Sequence, residues 1–207
     1  MITYSDVINF LKRVTTSLRA NSNYLTELDQ QIGDGDLGIT AKKIADALDA
    51  YMSETADESD IGKFIMTAGM KINSAAPSTM GSLLAISFMK AGKVCKSKTE
   101  ITSKDVVEML NTAVSSIQEK GKAKLGDKTL LDALIPAVKA LESSLAKGKT
   151  LKESGKEMCV AAQTGLEKAT LLRSKVGRAS WVGDRTEGKV DPGCALVVSI
   201  LTDVFFL

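Results

Sequence analysis

The stretch Tyr24-Leu25-Thr26-Glu27-Leu28-Asp29-Gln30-Gln31-Ile32-Gly33-Asp34-Gly35-Asp36-Leu37-Gly38-Ile39-Thr40 decides between two folds. Gly33-x-Gly35-x-x-Gly38 satisfies the dinucleotide fingerprint, but that motif needs a buried strand before it and a helix after it. The residues from Tyr24 to Gln31 are polar and contain no β-branched run, so no Rossmann sheet is expected. An EF-hand fits no better, because its alternating oxygen ligands and distal Glu are missing. What remains is three acids, Asp29, Asp34 and Asp36, on a glycine-rich turn, with Thr40 opening a helical pattern. No basic residue lies in the turn, so the like charges call for compensation, and Mg²⁺ takes oxygen ligands of this kind. Bare backbone N–H groups and a helix start suit a phosphate. A capped polar turn with solvated acids is the plain alternative.

Working outward, 207 residues can bury one large core, and no shift in composition divides the chain. A net charge of +2 gives no electrostatic footprint for nucleic acid. Cys95, Cys159 and Cys194 are widely spaced with no C-x-x-C pair, which reads as buried thiols in a reducing cytosol. Met1-Ile2-Thr3-Tyr4-Ser5-Asp6 contains no apolar signal core, and the apolar tail from Cys194 to Leu207 carries Asp203 and is too short for a membrane span. A cytoplasmic protein is expected. The chain contains no histidine at all. That removes Ser-His-Asp and Cys-His catalysis, histidine-ligated zinc and any phosphohistidine on this chain. Such a composition suits positioning phosphates better than abstracting protons.

The apolar periodicity is helical nearly throughout. Val7, Ile8, Leu11, Val14 and Leu18 share a face, behind a Thr3/Asp6 capping box. Ile44, Ala47, Leu48 and Tyr51 repeat the spacing, as do Ile61, Phe64, Ile65, Ala68 and Ile72 after a cap at Ser59 or Asp60. Between Pro77 and Lys93, Met80, Leu83, Leu84, Ile86 and Phe88 predict a central buried helix. Val106, Val107, Leu110, Val114 and Ile117 follow Ser103, and Leu130 to Leu145 form another helix with Pro136 expected to kink it. Thr150-x-x-Glu153 is a further capping box, and Asp191-Pro192 starts the last helix, which includes the strand-like Val197-Val198-Ser199-Ile200. The expected fold is all-α, one domain over residues 1–207, of about eight helices with short polar connections that favour antiparallel neighbours.

Three more loops stand at helix starts. Pro77-Ser78-Thr79-Met80-Gly81-Ser82 offers hydroxyls and free N–H groups; alone it is an ordinary cap. Gly121-Lys122-Ala123-Lys124-Leu125-Gly126-Asp127-Lys128-Thr129-Leu130 is a basic glycine loop that, alone, reads as a solvated charge run. Gly177-Arg178-Ala179-Ser180-Trp181-Val182-Gly183-Asp184-Arg185 and Asp191-Pro192-Gly193 contribute arginines, whose planar fork suits phosphate. Together these strings, in this order, make the whole chain resemble the nucleotide-binding (L) subunit of dihydroxyacetone kinases.

The resemblance implies a barrel of eight antiparallel helices with the nucleotide in the loops at one end. It implies that Asp29, Asp34 and Asp36 hold two Mg²⁺ ions that grip the phosphates of ADP or ATP. Leu37, Gly38, Ile39 and Thr40, with Ser78, Thr79, Met80 and Gly81, would approach the phosphates. Gly121, Leu130, Arg178, Asp191, Pro192 and Gly193 would surround the rest of the nucleotide. No catalytic side chain is assigned to this chain. The implied partners are a K subunit that holds the ketose through a histidine and an M subunit that carries a phosphohistidine fed from phosphoenolpyruvate. A transcription regulator and a second copy of the chain, in a homodimer, are further partners the family admits. A free-standing chain of this length resembles the phosphoenolpyruvate-dependent form, in which ADP stays bound, more than the ATP-dependent one.

Three features depart from the family pattern: Leu37 and Lys189 stand where histidine is usual, and Pro77-Ser78-Thr79-Met80-Gly81 replaces a Gly-Gly-Ala-Ser-Gly loop. The acid triad is untouched. The readings from other classes are a metal-dependent phosphohydrolase, a regulatory nucleotide-binding module, and the nucleotide subunit of an ATP-dependent kinase for another short ketose.

Overall fold

Side-chain caps open most of the long helices. Thr3, Thr102, Thr129 and Thr150 each accept a backbone N–H two or three residues on, while Asp6, Asp105, Asp132 and Glu153 reach back to the cap's own N–H. Asp60, Ser78 and Asp191 cap with one side-chain bond each, and Pro192 fills the first helical position behind Asp191. The computed structural model describes residues 1–55 and 59–206; Leu207, at the end of the apolar tail, lies outside them. The helices are α1 (Tyr4–Ala20), α2 (Ser22–Ile32), α3 (Leu37–Glu54), α4 (Ile61–Ala75), α5 (Thr79–Val94), α6 (Ser103–Gly121), α7 (Leu130–Ala146), α8 (Leu151–Thr170), α9 (Ala179–Val182) and α10 (Pro192–Phe205). Two-residue strands, β1 (Ile2–Thr3) and β2 (Glu100–Ile101), pair antiparallel and fasten the N-terminus to the entry of α6.

The eight long helices close a ring. Helix α1 packs on α3, α3 on α4, α4 on α5, α5 on α6, α6 on α7, α7 on α8, α8 on α10, and α10 returns to α1. Contacts across the pairs run in opposite directions. Arg19 meets Asp46 and Thr15 meets Asp49 between α1 and α3, and Cys159 meets Leu201 while Gly155 faces Phe205 between α8 and α10. The expected all-α barrel is therefore the observed architecture, with α2 and α9 as additions to the ring. One buried cluster joins α1, α3 and α4 around Phe64, which stacks on Tyr51. A second joins α6, α7 and α8 around Leu131, Val138 and Leu141. The three cysteines are buried and unbridged. No helix among the described residues is long and apolar enough to cross a membrane.

Two local expectations are adjusted. Helix α2 lies where only a polar approach to the turn was expected; Leu25, Leu28 and Ile32 are buried at helical spacing within it. Helix α5 is less enclosed than its apolar sequence suggests, since Leu84, Ile86 and Phe88 are only half-buried. Thr102 caps α6, which begins at Ser103. Helix α7 runs from Leu130 to Ala146 with Pro136 inside it.

The fingerprint glycines have a structural explanation unrelated to a strand, because the turn joins α2 to α3. A Cβ on Gly38 would lie 1.9 Å from the Ser22 carbonyl oxygen and 2.2 Å from Thr26 Oγ1, so its bareness lets α3 start against the beginning of α2. Gly38→Ala forces these helices apart at a backbone contact. It is expected to cost about 2 kcal/mol, a melting shift of roughly 5 °C, measured by calorimetry without ligand. An unchanged melting temperature would show that the two helices are not held this closely.

Candidate nucleotide and metal site

Helices α3, α5, α7 and α10 all begin at one end of the ring, and their first residues line a single cavity. Each helix start presents N–H groups without intrahelical acceptors and the positive end of a dipole. Asp29 sits in the last turn of α2, Asp34 in the turn, and Asp36 at the cap position of α3. Asp36 makes no side-chain cap bond, so its carboxylate is not committed to its own helix. Asp29 instead accepts the first N–H of α3, from Leu37 at 3.2 Å. Gly35 supplies a left-handed residue, φ 76°, that folds the acids towards one another.

One carboxylate oxygen from each acid lies within 4.8 Å of the other two. Oxygens on opposite sides of one Mg²⁺ are separated by about 4.2 Å, so small rotations of the side chains would bring these onto a hard cation. An all-carboxylate donor set on an open turn, with room left for water and phosphate ligands, suits Mg²⁺. The expectation that the triad has no positive neighbour is corrected here. Arg178, from the loop before α9, forms an ion pair with Asp34, and its Nη1 lies 3.9 Å from Asp36. The sequence separation hid this contact.

The cavity also has an apolar lining. Ile32, Leu37, Met80, Leu83, Ile117 and Leu130 form it beside Gly121. A Cβ on Gly121 would make only ordinary contact, 3.5 Å from Leu83. Its missing side chain is therefore not demanded by the fold and leaves cavity space free. A charged rim with an apolar slot suits a molecule with phosphates at one end and a flat ring at the other.

Among the expected site residues, the structure brings Asp29, Asp34, Asp36, Leu37, Ser78, Thr79, Met80, Gly121, Leu130, Arg178, Asp191, Pro192 and Gly193 to this cavity. Gly38, Ile39, Thr40 and Gly81 are outside its lining. Gly38 packs on α2, Ile39 is exposed, Thr40 is buried with its hydroxyl donating to Ser78 Oγ, and the Gly81 N–H is taken by the Ser78 cap. The sequence reading passed over the apolar wall, because Leu83 and Ile117 carry the same signal as core residues. It also passed over Val176, Thr129 and Lys128 as site residues.

The Gly126–Asp132 string is a fastening, not a solvated charge run. Asp127, Lys128 and Asp132 are all buried. Asp132 accepts from the N–H groups of Gly126 and Thr129 at 2.6 and 2.9 Å, and Asp127 accepts from Lys124 N–H at 2.9 Å. Asp191 is buried at the start of α10 and accepts from Cys194 N–H at 2.7 Å.

The DAK2 domain profile matches residues 31–205. The chain belongs to the DAK2 domain family. Among curated relatives, it is 26% identical to the PEP-dependent dihydroxyacetone kinase, ADP-binding subunit DhaL, of Escherichia coli K12 over 95% of this chain and 93% of that one. It is 32% identical to the corresponding ADP-binding subunit of dihydroxyacetone kinase 2 of Listeria innocua, over 83% of this chain and 79% of that one. Among solved structures, the dihydroxyacetone kinase of C. freundii in complex with AMP-PNP and Mg²⁺ aligns over 99% of this DAK2 chain with a TM-score of 0.79 at 24% identity. This chain spans 34% of that enzyme, and the likeness shows a shared fold.

Burial raises the Asp191 carboxyl to about 6, against the opposing Cys194 N–H bond. Between its ordinary value near 3.8 and 6 the folded chain holds a proton that the unfolded chain has released. The associated stability is complete below that ordinary value and is lost as pH rises through 6. Asp191→Asn keeps an acceptor for Cys194 N–H and removes the titration. The melting temperature of the variant relative to wild type is expected to rise by roughly 5 °C between about pH 4 and pH 7.5. A difference independent of pH would show that the carboxyl is not raised.

Proposed function

We propose that this chain is the nucleotide-bearing subunit of a dihydroxyacetone kinase of the phosphoenolpyruvate-dependent kind, holding ADP or ATP with two Mg²⁺ ions and passing a phosphoryl group to a ketose on a separate K subunit. The observation that carries the proposal is the convergence of the acid triad, Arg178 and four helix starts on one cavity with an apolar wall. The ADP-binding subunits of E. coli and L. innocua, similar to this chain over most of their length, support it. Bound Mg²⁺ would neutralise charge on the phosphate oxygens.

The chain's own residues supply position and electrostatics. Asp29, Asp34 and Asp36 would hold the metal side of the nucleotide, with Leu37 N–H steadying the Asp29 carboxylate. The uncommitted N–H groups of Thr79 and Met80 at the start of α5 would orient phosphate oxygens, as would the approach of Gly193 at α10. Arg178 already reaches the acids, so a phosphate bridged to them by metal lies within its range. The slot beside Leu83, Ile117 and Gly121 would take the base. Without histidine the chain has no residue for a histidine adduct of the ketose or for a phosphohistidine, which assigns these to the K and M subunits. Leu37 borders the phosphates with an apolar side chain and leaves the metal acids unchanged.

Asp36→Asn removes a carboxylate that no cap bond requires. It is expected to weaken Mg²⁺–ADP binding at least tenfold, about 1.4 kcal/mol, by calorimetry. Equal affinity in variant and wild type would remove the acids from the binding site. The purified chain with ATP and Mg²⁺ is expected to make no dihydroxyacetone phosphate until a matching K subunit is added. Steady production by the chain alone would place a complete active site here.

A further inference from the structure

Lys128 is almost fully enclosed, with 1% of its surface exposed. Its ammonium donates to three backbone carbonyls: Thr170 at 3.0 Å, Leu172 at 2.8 Å and Thr186 at 2.5 Å. An ammonium has three donors, so the set is complete. The residue holds this geometry at φ 60°, which costs any side chain other than glycine. Thr170 and Leu172 stand where the chain leaves α8, and Thr186 stands where it returns towards α10. One buried charge therefore ties together both feet of the segment 171–190.

Other bonds cross the same base. Thr186 Oγ1 accepts from Ser174 N–H at 3.0 Å, Gly188 N–H donates to Thr170 O at 2.9 Å, and Lys175 N–H donates to Asp127 O at 3.1 Å. Above this base the arch is open: Arg178 and Trp181 are exposed, and the arch presents Arg178 to Asp34. Burial pulls Lys128 below the ordinary lysine value, while the charge of Asp191 acts in the opposite direction. Three carbonyl dipoles around the nitrogen favour the charged form.

We propose that Lys128 is the positioning residue of the Arg178 arch: its ammonium clamps the two feet of segment 171–190 and thereby sets where the guanidinium meets the acid triad and the phosphates. The part concerning phosphates rests on the nucleotide-binding reading above. The clamp itself does not. Lys128 need not touch the nucleotide to have this effect: its loss takes the ammonium from all three carbonyls, and only Thr170 O and Thr186 O keep another donor, the N–H groups of Gly188 and Lys189.

The test combines hydrogen exchange with binding. In the wild-type chain without ligand, the amides of Ser174, Lys175 and Gly188 are expected to exchange slowly, and those of Ser180 and Arg185 quickly. Uniformly fast exchange through 171–190 would overturn the clamp with no variant needed. In Lys128→Met the three slow amides should exchange about tenfold or more faster, while α4 and α5 stay unchanged. Mg²⁺–ADP affinity should fall several-fold, and adding Arg178→Ala to Lys128→Met should cost little more, although Arg178→Ala alone weakens wild type clearly. Lys128→Arg, which keeps the charge and several donors, should restore part of both effects. If Arg178→Ala costs the same factor in both backgrounds, or the slow amides are unaffected by Lys128→Met, the clamp does not position the arch. If wild type binds no Mg²⁺–ADP, the nucleotide reading fails, and the exchange measurements still decide the clamp. If Lys128→Met does not fold, Lys128→Arg and the wild-type exchange pattern carry the decision.

Discussion

Three carboxylates with oxygens within 4.8 Å of one another repel, and the open end of this barrel is arranged around that repulsion. The turn between α2 and α3 leaves Asp36 free of the cap bond that an acid at a helix start normally makes. The N-terminus of α3 and the Arg178 guanidinium both supply positive potential to the triad. Arg178 is exposed and its charge is partly screened by water, so the triad keeps part of its negative potential. The site thus has a tendency to recruit positive charge that follows from its geometry alone.

The second half of the site is built on buried polar groups. Asp127, Asp132 and Lys128 bond to backbone N–H and carbonyl groups of three loop segments and tie them together. Loops at a barrel mouth have little apolar surface with which to hold a conformation. Hydrogen bonds to charged side chains take over that task, and they are stronger where the surroundings are dry. The segment from Leu171 to Val190 has only short helical turns of its own, so its shape depends on these bonds.

The cavity's chemistry also separates two kinds of work. Its polar rim can order phosphates and metal, while its apolar wall can exclude water from a ring. Histidine-free, the chain holds no side chain of ordinary near-neutral pKa for proton transfer, and the raised Asp191 is buried at the start of α10, where it accepts from Cys194 N–H. Positioning is what the architecture offers, and in phosphoryl transfer positioning and charge stabilisation account for most of the catalysis.

The sequence by itself determined the helical class, most helix starts and the acid triad. Capping boxes such as Thr3/Asp6 and Thr150/Glu153, and the 3.6-residue spacing of Val7 to Leu18, are local properties that a string of residues expresses without its neighbours. Asp29, Asp34 and Asp36 were legible for the same reason, lying within one stretch of eight residues. The helix α2 was recoverable from Leu25, Leu28 and Ile32. Only the tertiary structure decided that Arg178 faces Asp34, that Leu83 and Ile117 wall a cavity and not simply a core, and that Lys128 is sealed among three carbonyls. Those contacts join residues 42 to 58 positions apart in the case of Lys128, and far more for Arg178. Their partners are brought together by the closing of the helix ring, and an exposed lysine and a caged one are spelled identically in sequence.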